Sequence, residues 1–172
     1  MSGQVSYATA ILTVLFLFCE YNPAHAQSSR PSEPFTPVQN EERVEANPEQ
    51  ARRLQRIRDL PTTQSVHVLR MNQSAPIGDE VKISIPNDRT LVLSKTGGET
   101  RDPKDFTWFG VVKGGEPGTA TLIARNGEIT GSISTPGGVY RISPLGDGLY
   151  AMAKMDTQKL PPEEPPKKEK KP

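Results

Sequence analysis

A chain of 172 residues has room for one domain of ordinary size plus accessory segments. At 34% hydrophobic residues and with seventeen prolines, part of it falls outside any packed core. The formal net charge of +1 gives no global electrostatic reason to bind nucleic acid, and the one cysteine, Cys19, excludes an internal disulfide.

Residues 8–19 (ATAILTVLFLFC) form an uncharged apolar stretch of the length of a signal-peptide core. Glu20, Asn22 and Pro23 interrupt it before it could comfortably span a bilayer. Ala24-His25-Ala26 then places small residues at the −3 and −1 positions, which predicts export with cleavage after Ala26. The leading MSGQVSY lacks the usual Lys or Arg, and retention as an uncleaved anchor is the alternative. Bulky Phe18 argues against acylation at Cys19. The mature chain would have no thiol for catalysis or metal binding and a charge near +2.

Residues 27–45 hold several prolines and almost no apolar periodicity, so they are expected to be a flexible linker. A helix is predicted within 46–61: Asn47 caps it, Pro48 is its first residue, and Pro61 stops it. Leu54 and Ile57, with Ala51 and Leu60, form its apolar stripe among Arg52, Arg53, Arg56 and Arg58. The simplest reading is a helix covering one sheet edge with a solvated basic face.

Residues 62–156 are expected to form an all-β domain, a small antiparallel meander or sandwich of about eight strands. The first, 65–71 (SVHVLRM), puts Val66 and Val68 on one face and His67, Leu69 and Met71 on the other. Residues 80–85 (EVKISI) and 90–95 follow, with Val81, Ile83, Leu91 and Leu93 inward, and 96–105 reads as a polar loop. Further strands are expected at 105–113, 119–125, 128–134, 139–143 and 149–154. Asn126-Gly127 is the sharpest signal, because a type I′ hairpin turn needs two residues with positive φ. Each Gly pair, Gly97-Gly98, Gly114-Gly115 and Gly137-Gly138, reads as a turn. Residues 157–172, ending KKEKKP, form a Pro/Lys-rich disordered tail.

This stretch has few groups suited to bond-making chemistry. There is no His-Glu-x-x-His, no Gly-x-Ser-x-Gly and no phosphate-binding glycine loop, and of two histidines one lies in the signal. His67 has no identifiable nucleophile beside it, and Glu99, Asp102 and Asp105 match no calcium-loop spacing. Asn72-Gln73-Ser74 is a formal glycosylation sequon. No catalytic residue, metal site or cofactor is expected. Trp108 between Phe106 and Phe109 is the largest apolar cluster; if Phe106 and Trp108 share a face, Phe109 points the other way. With Tyr140 and Arg141 they make up the candidate partner-binding residues.

Several stretches resemble the N-terminal pro-region of secreted bacterial zinc metallopeptidases of the reprolysin-like (adamalysin) class. They are VHVLRMN (66–72), DFTWFG (105–110), GTATL (118–122), GEITGSI (127–133), VYRISPLGDG (139–148) and MDTQKLPPE (155–163). The resemblance implies a β-rich propeptide that follows the signal, assists folding and keeps the protease latent. It departs from that pattern where a Lys/Pro tail stands in place of the zinc-binding catalytic domain, and in that the mature chain, once Cys19 is removed with the signal, has no cysteine to cap a protease zinc; nothing in the sequence selects a carboxylate such as Asp156 for that role.

The expected function is therefore a non-catalytic exported β domain that binds a secreted metallopeptidase as a propeptide-like inhibitor or folding helper. Strand-edge pairing or an aromatic patch would supply affinity. The alternative is an envelope-associated module resting on an anionic surface through Lys167, Lys168, Lys170 and Lys171. A hydrolase is the least supported reading, and the oligomeric state is left open.

Overall fold

The computed structural model describes residues 30–39, 44, 47–86 and 89–159. The signal segment 1–26 and the tail from residue 160 onward lie outside the described residues. Within them run β1 (Ser32–Pro37), α1 (Pro48–Arg58), β2 (Thr63–Met71), β3 (Glu80–Ser84), β4 (Thr90–Asp102), β5 (Asp105–Val112), β6 (Thr119–Arg125), β7 (Glu128–Thr135), β8 (Gly138–Gly146) and β9 (Leu149–Met155). A single 3₁₀ turn, Thr157–Lys159, follows.

The strands close into a barrel in the order β1-β2-β9-β8-β7-β6-β5-β4-β3 and back to β1. This corrects the expected antiparallel meander or sandwich of about eight strands: the ring is closed, has nine strands and includes one parallel pair. The ninth strand, β1, lies in the stretch expected to be flexible linker. Its six residues supply one large apolar side chain, Phe35, which is 1% exposed. So weak a local pattern cannot hold a strand alone; pairing on both sides does. β1 runs antiparallel to β2 (Phe35 opposite Met71) and parallel to β3 (Ser32 opposite Val81, Phe35 opposite Ile83). Nine strands cannot alternate direction all the way round a ring, so closure requires a parallel seam, and β1–β3 is that seam.

Hairpins build the rest. The Asn126-Gly127 turn has φ of 52° and 82°, as the I′ pattern requires, and sets Arg125 opposite Glu128. Asp147-Gly148, with φ of 50° and 72°, makes the same kind of turn between β8 and β9. Gly97-Gly98 is not a turn. It lies inside β4, which continues to Asp102 through the stretch expected to be a loop, with a register shift between Lys95 and Gly97. At Gly98 φ is 134°, and a Cβ there would lie 2.1 Å from the Thr107 carbonyl oxygen. The pair is a bulge where β4 and β5 approach too closely for a side chain.

Alternation sends Phe35, Leu69, Ile83, Leu93, Trp108, Leu122, Ile133, Tyr140, Ile142 and Tyr150 inward, among others, to fill the barrel. Phe35 and Tyr150 meet edge to face with ring centres 5.3 Å apart. A second cluster lies outside the barrel, where Leu54 and Ile57 of α1 pack on Val66, Val68, Leu145, Leu149 and Ala151. The helix covers the outer face of β2, β8 and β9, not a sheet edge. This explains why β2 and β9 are apolar on both faces. Asn47 caps the helix, its side chain accepting from the Glu49 and Gln50 amides. Of the expected stripe, Leu54 is buried while Leu60 is 45% exposed beyond the helix end.

Two outcomes follow. Phe35→Ala should cost about 3–5 kcal/mol, a large share of a typical domain's ~5–15 kcal/mol, read as a lower urea midpoint. A free linker at this position would leave the midpoint unchanged. Burial, then the Glu128 charge, push the Tyr150 hydroxyl above its ordinary 10.0, partly offset by the hydrogen bond it accepts from the Ile129 amide. The folded state therefore holds this proton more tightly than the unfolded chain. The associated stability is fully present below pH 10 and is lost as pH rises through the raised folded value. Tyr150→Phe should remove that alkaline component, seen as a flatter stability–pH curve above pH 10.

Candidate functional site

The barrel has two ends and two sides, and the candidate residues divide among them. One end gathers the β4–β5, β6–β7 and β8–β9 turns and the loop 72–79 that joins β2 to β3. The other gathers the β3–β4, β5–β6 and β7–β8 connections and the short link from α1 into β2. The side carrying α1 is covered. The opposite wall, β5 to β7, has no element packed on it among the described residues.

At the first end lies a recess of about 340 Å³, whose lining includes Met71, Ile77, Phe106, Trp108, Ala124 and Ile129. Trp108 is its buried floor, and its indole Nε1 donates to the Gly78 carbonyl at 2.9 Å, tying the loop 72–79 over the barrel. Asn72 steadies the loop from its other side: its amide donates to the Pro34 carbonyl and its side chain accepts from the Ser74 amide. Phe106, expected to share a face with Trp108, does so, half-buried against the core. Tyr140 is also interior, beyond reach of a partner surface, and helps line a second recess at the opposite end with His67, Met152 and Lys154. Lys154 Nζ stands 5.8 Å from the centre of its ring.

Phe109 and Arg141 face outward, and register places them on one row. Phe109 is opposite Thr121, Thr121 opposite Ser132, and Ser132 opposite Arg141. Three strand spacings of ~4.8 Å separate the two ends of that row by roughly 14 Å. Around it the outward positions of β6 and β7 are small, uncharged Thr119, Thr121, Thr130, Ser132 and Ser134, with half-buried Ile123 and the cross-strand pair Arg125 and Glu128 toward the β6–β7 turn. Phe109 is 46% exposed and Val111 40%, the most exposed large apolar side chains of the barrel strands. Val111 was missed by sequence reasoning, although it follows Phe109 by two in the same strand and must share its face. The five candidate residues thus form three groups: Phe106 and Trp108 in one mouth, Tyr140 in the other, Phe109 and Arg141 on the bare wall.

The acidic residues of the β4–β5 hairpin are engaged with one another's neighbours. Asp105 pairs with Arg125 at 3.2 Å, Glu99 with Arg101 at 3.6 Å, and Asp102 accepts from the Lys104 amide. Among the described residues no three of His, Cys, Asp and Glu come together where a metal ion could be held. Gln50, the buried polar side chain of α1, donates to Asp147 Oδ2 at 3.0 Å and so joins the helix to the β8–β9 turn. No sequence signal announces this bond, because a Gln in the first turn of a helix usually faces water.

Comparison with known proteins finds sequence similarity to peptidyl-Asp metalloendopeptidases. The chain is 26% identical over 125 residues to a peptidyl-Asp metalloendopeptidase of Xanthomonas campestris pv. campestris, a match covering 65% of this chain and 30% of that protein. It is 28% identical over 144 residues to a peptidyl-Asp metalloendopeptidase of Stenotrophomonas maltophilia, covering 76% of this chain and 34% of the other. No family model matches, and no solved structure matches. The chain spans about a third of the length of these curated relatives, and what it is similar to is a part of a metallopeptidase.

Proposed function

We propose that this chain is an exported, non-catalytic barrel that binds a metallopeptidase in a propeptide-like role, as an inhibitor or a folding helper. The observation that carries the reading is the match itself: most of this chain aligns with about a third of a peptidyl-Asp metalloendopeptidase. A stretch of that size within a protease is large enough to be a separate module from the part that cleaves. The residues of the barrel suit a partner's module better than a catalyst's, since their polar groups are used in turns, caps and surface ion pairs.

The closed sheet argues for a particular mode of contact. A barrel has no free strand edge, so pairing of a partner strand to an edge is not available without opening it. Contact through side chains on the bare wall fits better. There Phe109 and Val111 supply exposed apolar area, the threonines and serines a surface cheap to desolvate, and Arg141 a charge at the far end of the row.

The test adds the purified chain to a purified peptidyl-Asp metalloendopeptidase. Expected are co-elution on gel filtration and slower peptide cleavage, or a higher refolding yield of the denatured protease. Phe109→Ala should weaken the complex about tenfold or more, as truncating an interface anchor does. Arg141→Glu should weaken it less. Full-speed cleavage, an unchanged refolding yield and separate elution at micromolar concentration would refute the reading.

A further inference from the structure

We infer that the recess beneath the loop 72–79 is a binding site for a small amphiphile with an apolar tail and an anionic head, a medium-chain carboxylate. It lies at a barrel mouth, where binding sites are common, and about 340 Å³ falls at the lower end of the range for small-molecule pockets. Its floor and walls are Trp108, Ala124 and Ile129, with Met71, Ile77 and Phe106 half-buried nearer the opening. These are side chains that gain by losing contact with water.

The rim sets the class of head group. Lys95 is the one charged residue among those lining this recess, beside neutral Gln73, Ser74, Thr100 and Thr107. Its backbone is fixed by the bond from its amide to the Asp79 carbonyl at the base of the loop, and its ammonium takes no part in any ion pair recorded among the described residues. Of the acidic groups at this end, Asp105 pairs with Arg125, Glu80 with Lys113, Glu99 with Arg101 and Asp147 with Gln50, while the Asp79 carboxylate is exposed at the base of the loop and is not among the residues lining the recess. Glu128 lies in the adjoining hollow, where Lys104 stands with it. An apolar hollow with an unengaged cation at its lip is complementary to a carboxylate on a short alkyl chain. At ~30 Å³ for a water-sized group, the volume holds roughly eleven such groups, which corresponds to an acid of about eight to ten carbons.

The site is separate from the bare wall, so it stands or falls apart from peptidase binding. The protein carries its own reporter, because Trp108 is its one tryptophan. Titrating the intact chain with hexanoate, octanoate and decanoate should give a saturable change in tryptophan emission. Affinity should rise about fourfold per added methylene, from ~0.8 kcal/mol per buried CH₂, and level off once the recess is full. Octanol should bind less tightly than octanoate. Lys95→Met should weaken octanoate about two- to fivefold, the effect of losing one exposed ion pair, and leave octanol unchanged. Ala124→Leu, which fills the recess, should abolish the response, whereas Phe109→Ala should not alter it. Should Ala124→Leu fail to fold, the Lys95→Met and chain-length results decide alone. No emission change, a response that never saturates, equal binding of octanol and octanoate, or an undiminished response in Lys95→Met would overturn the assignment.

Discussion

The structure depends on one constraint: the backbone hydrogen bonds of the first and last strands of the sheet must be satisfied, and the barrel satisfies them by closing. β3 at one margin and β2 at the other would each present a row of unpaired amides and carbonyls without β1 between them. β1 fills the gap although it is short, and its pairing to β3 shows the one irregular parallel register in the ring. Parallel pairing is somewhat weaker per residue than antiparallel. Phe35 compensates by reaching into the core against Tyr150, so the seam is held by packing as much as by hydrogen bonding.

Closure also divides the surface. The helix lies across β2, β8 and β9, its Leu54 and Ile57 completing a second apolar cluster on the outside of the barrel. The Asn47 cap and the Gln50 bond to Asp147 fix how it lies. Opposite the helix, among the described residues, the β5–β7 wall has no element packed on it, and its outward threonines and serines stand with Phe109, Val111, Ile123 and the Arg125–Glu128 pair. Because closure leaves no margin for strand addition, any partner would have to meet side chains on a wall or at a mouth, and the two surfaces therefore carry separate proposals.

The mouth and the wall owe their separation to the period of two. Residues 106 and 108 turn into the barrel while 109 and 111 turn out, although the change of parity between them occupies a single peptide step past Trp108. Gly110 shares the inward face, and a Cβ there would lie 2.2 Å from the Trp108 ring, so the indole occupies the space over its neighbour's backbone. A cluster that looks like one aromatic patch in the chain is two surfaces in the fold.

The hairpins of the second half were legible residue by residue, since Asn126-Gly127 dictates local backbone geometry whatever surrounds it. So were the helix start at Asn47-Pro48 and the inward faces of β3 and the first half of β4. These are decided within a few residues by φ preference, capping and alternation. Tertiary structure decided the rest. β1 is a strand because two distant strands leave room for it, Gly97-Gly98 is a bulge because β5 approaches there, and Tyr140 is interior because β8 curves round with the ring. The recess exists only once loop 72–79 is drawn over Trp108. Short-range preference writes itself into sequence, whereas closure is a property of strands far apart in the chain, and no single stretch carries it.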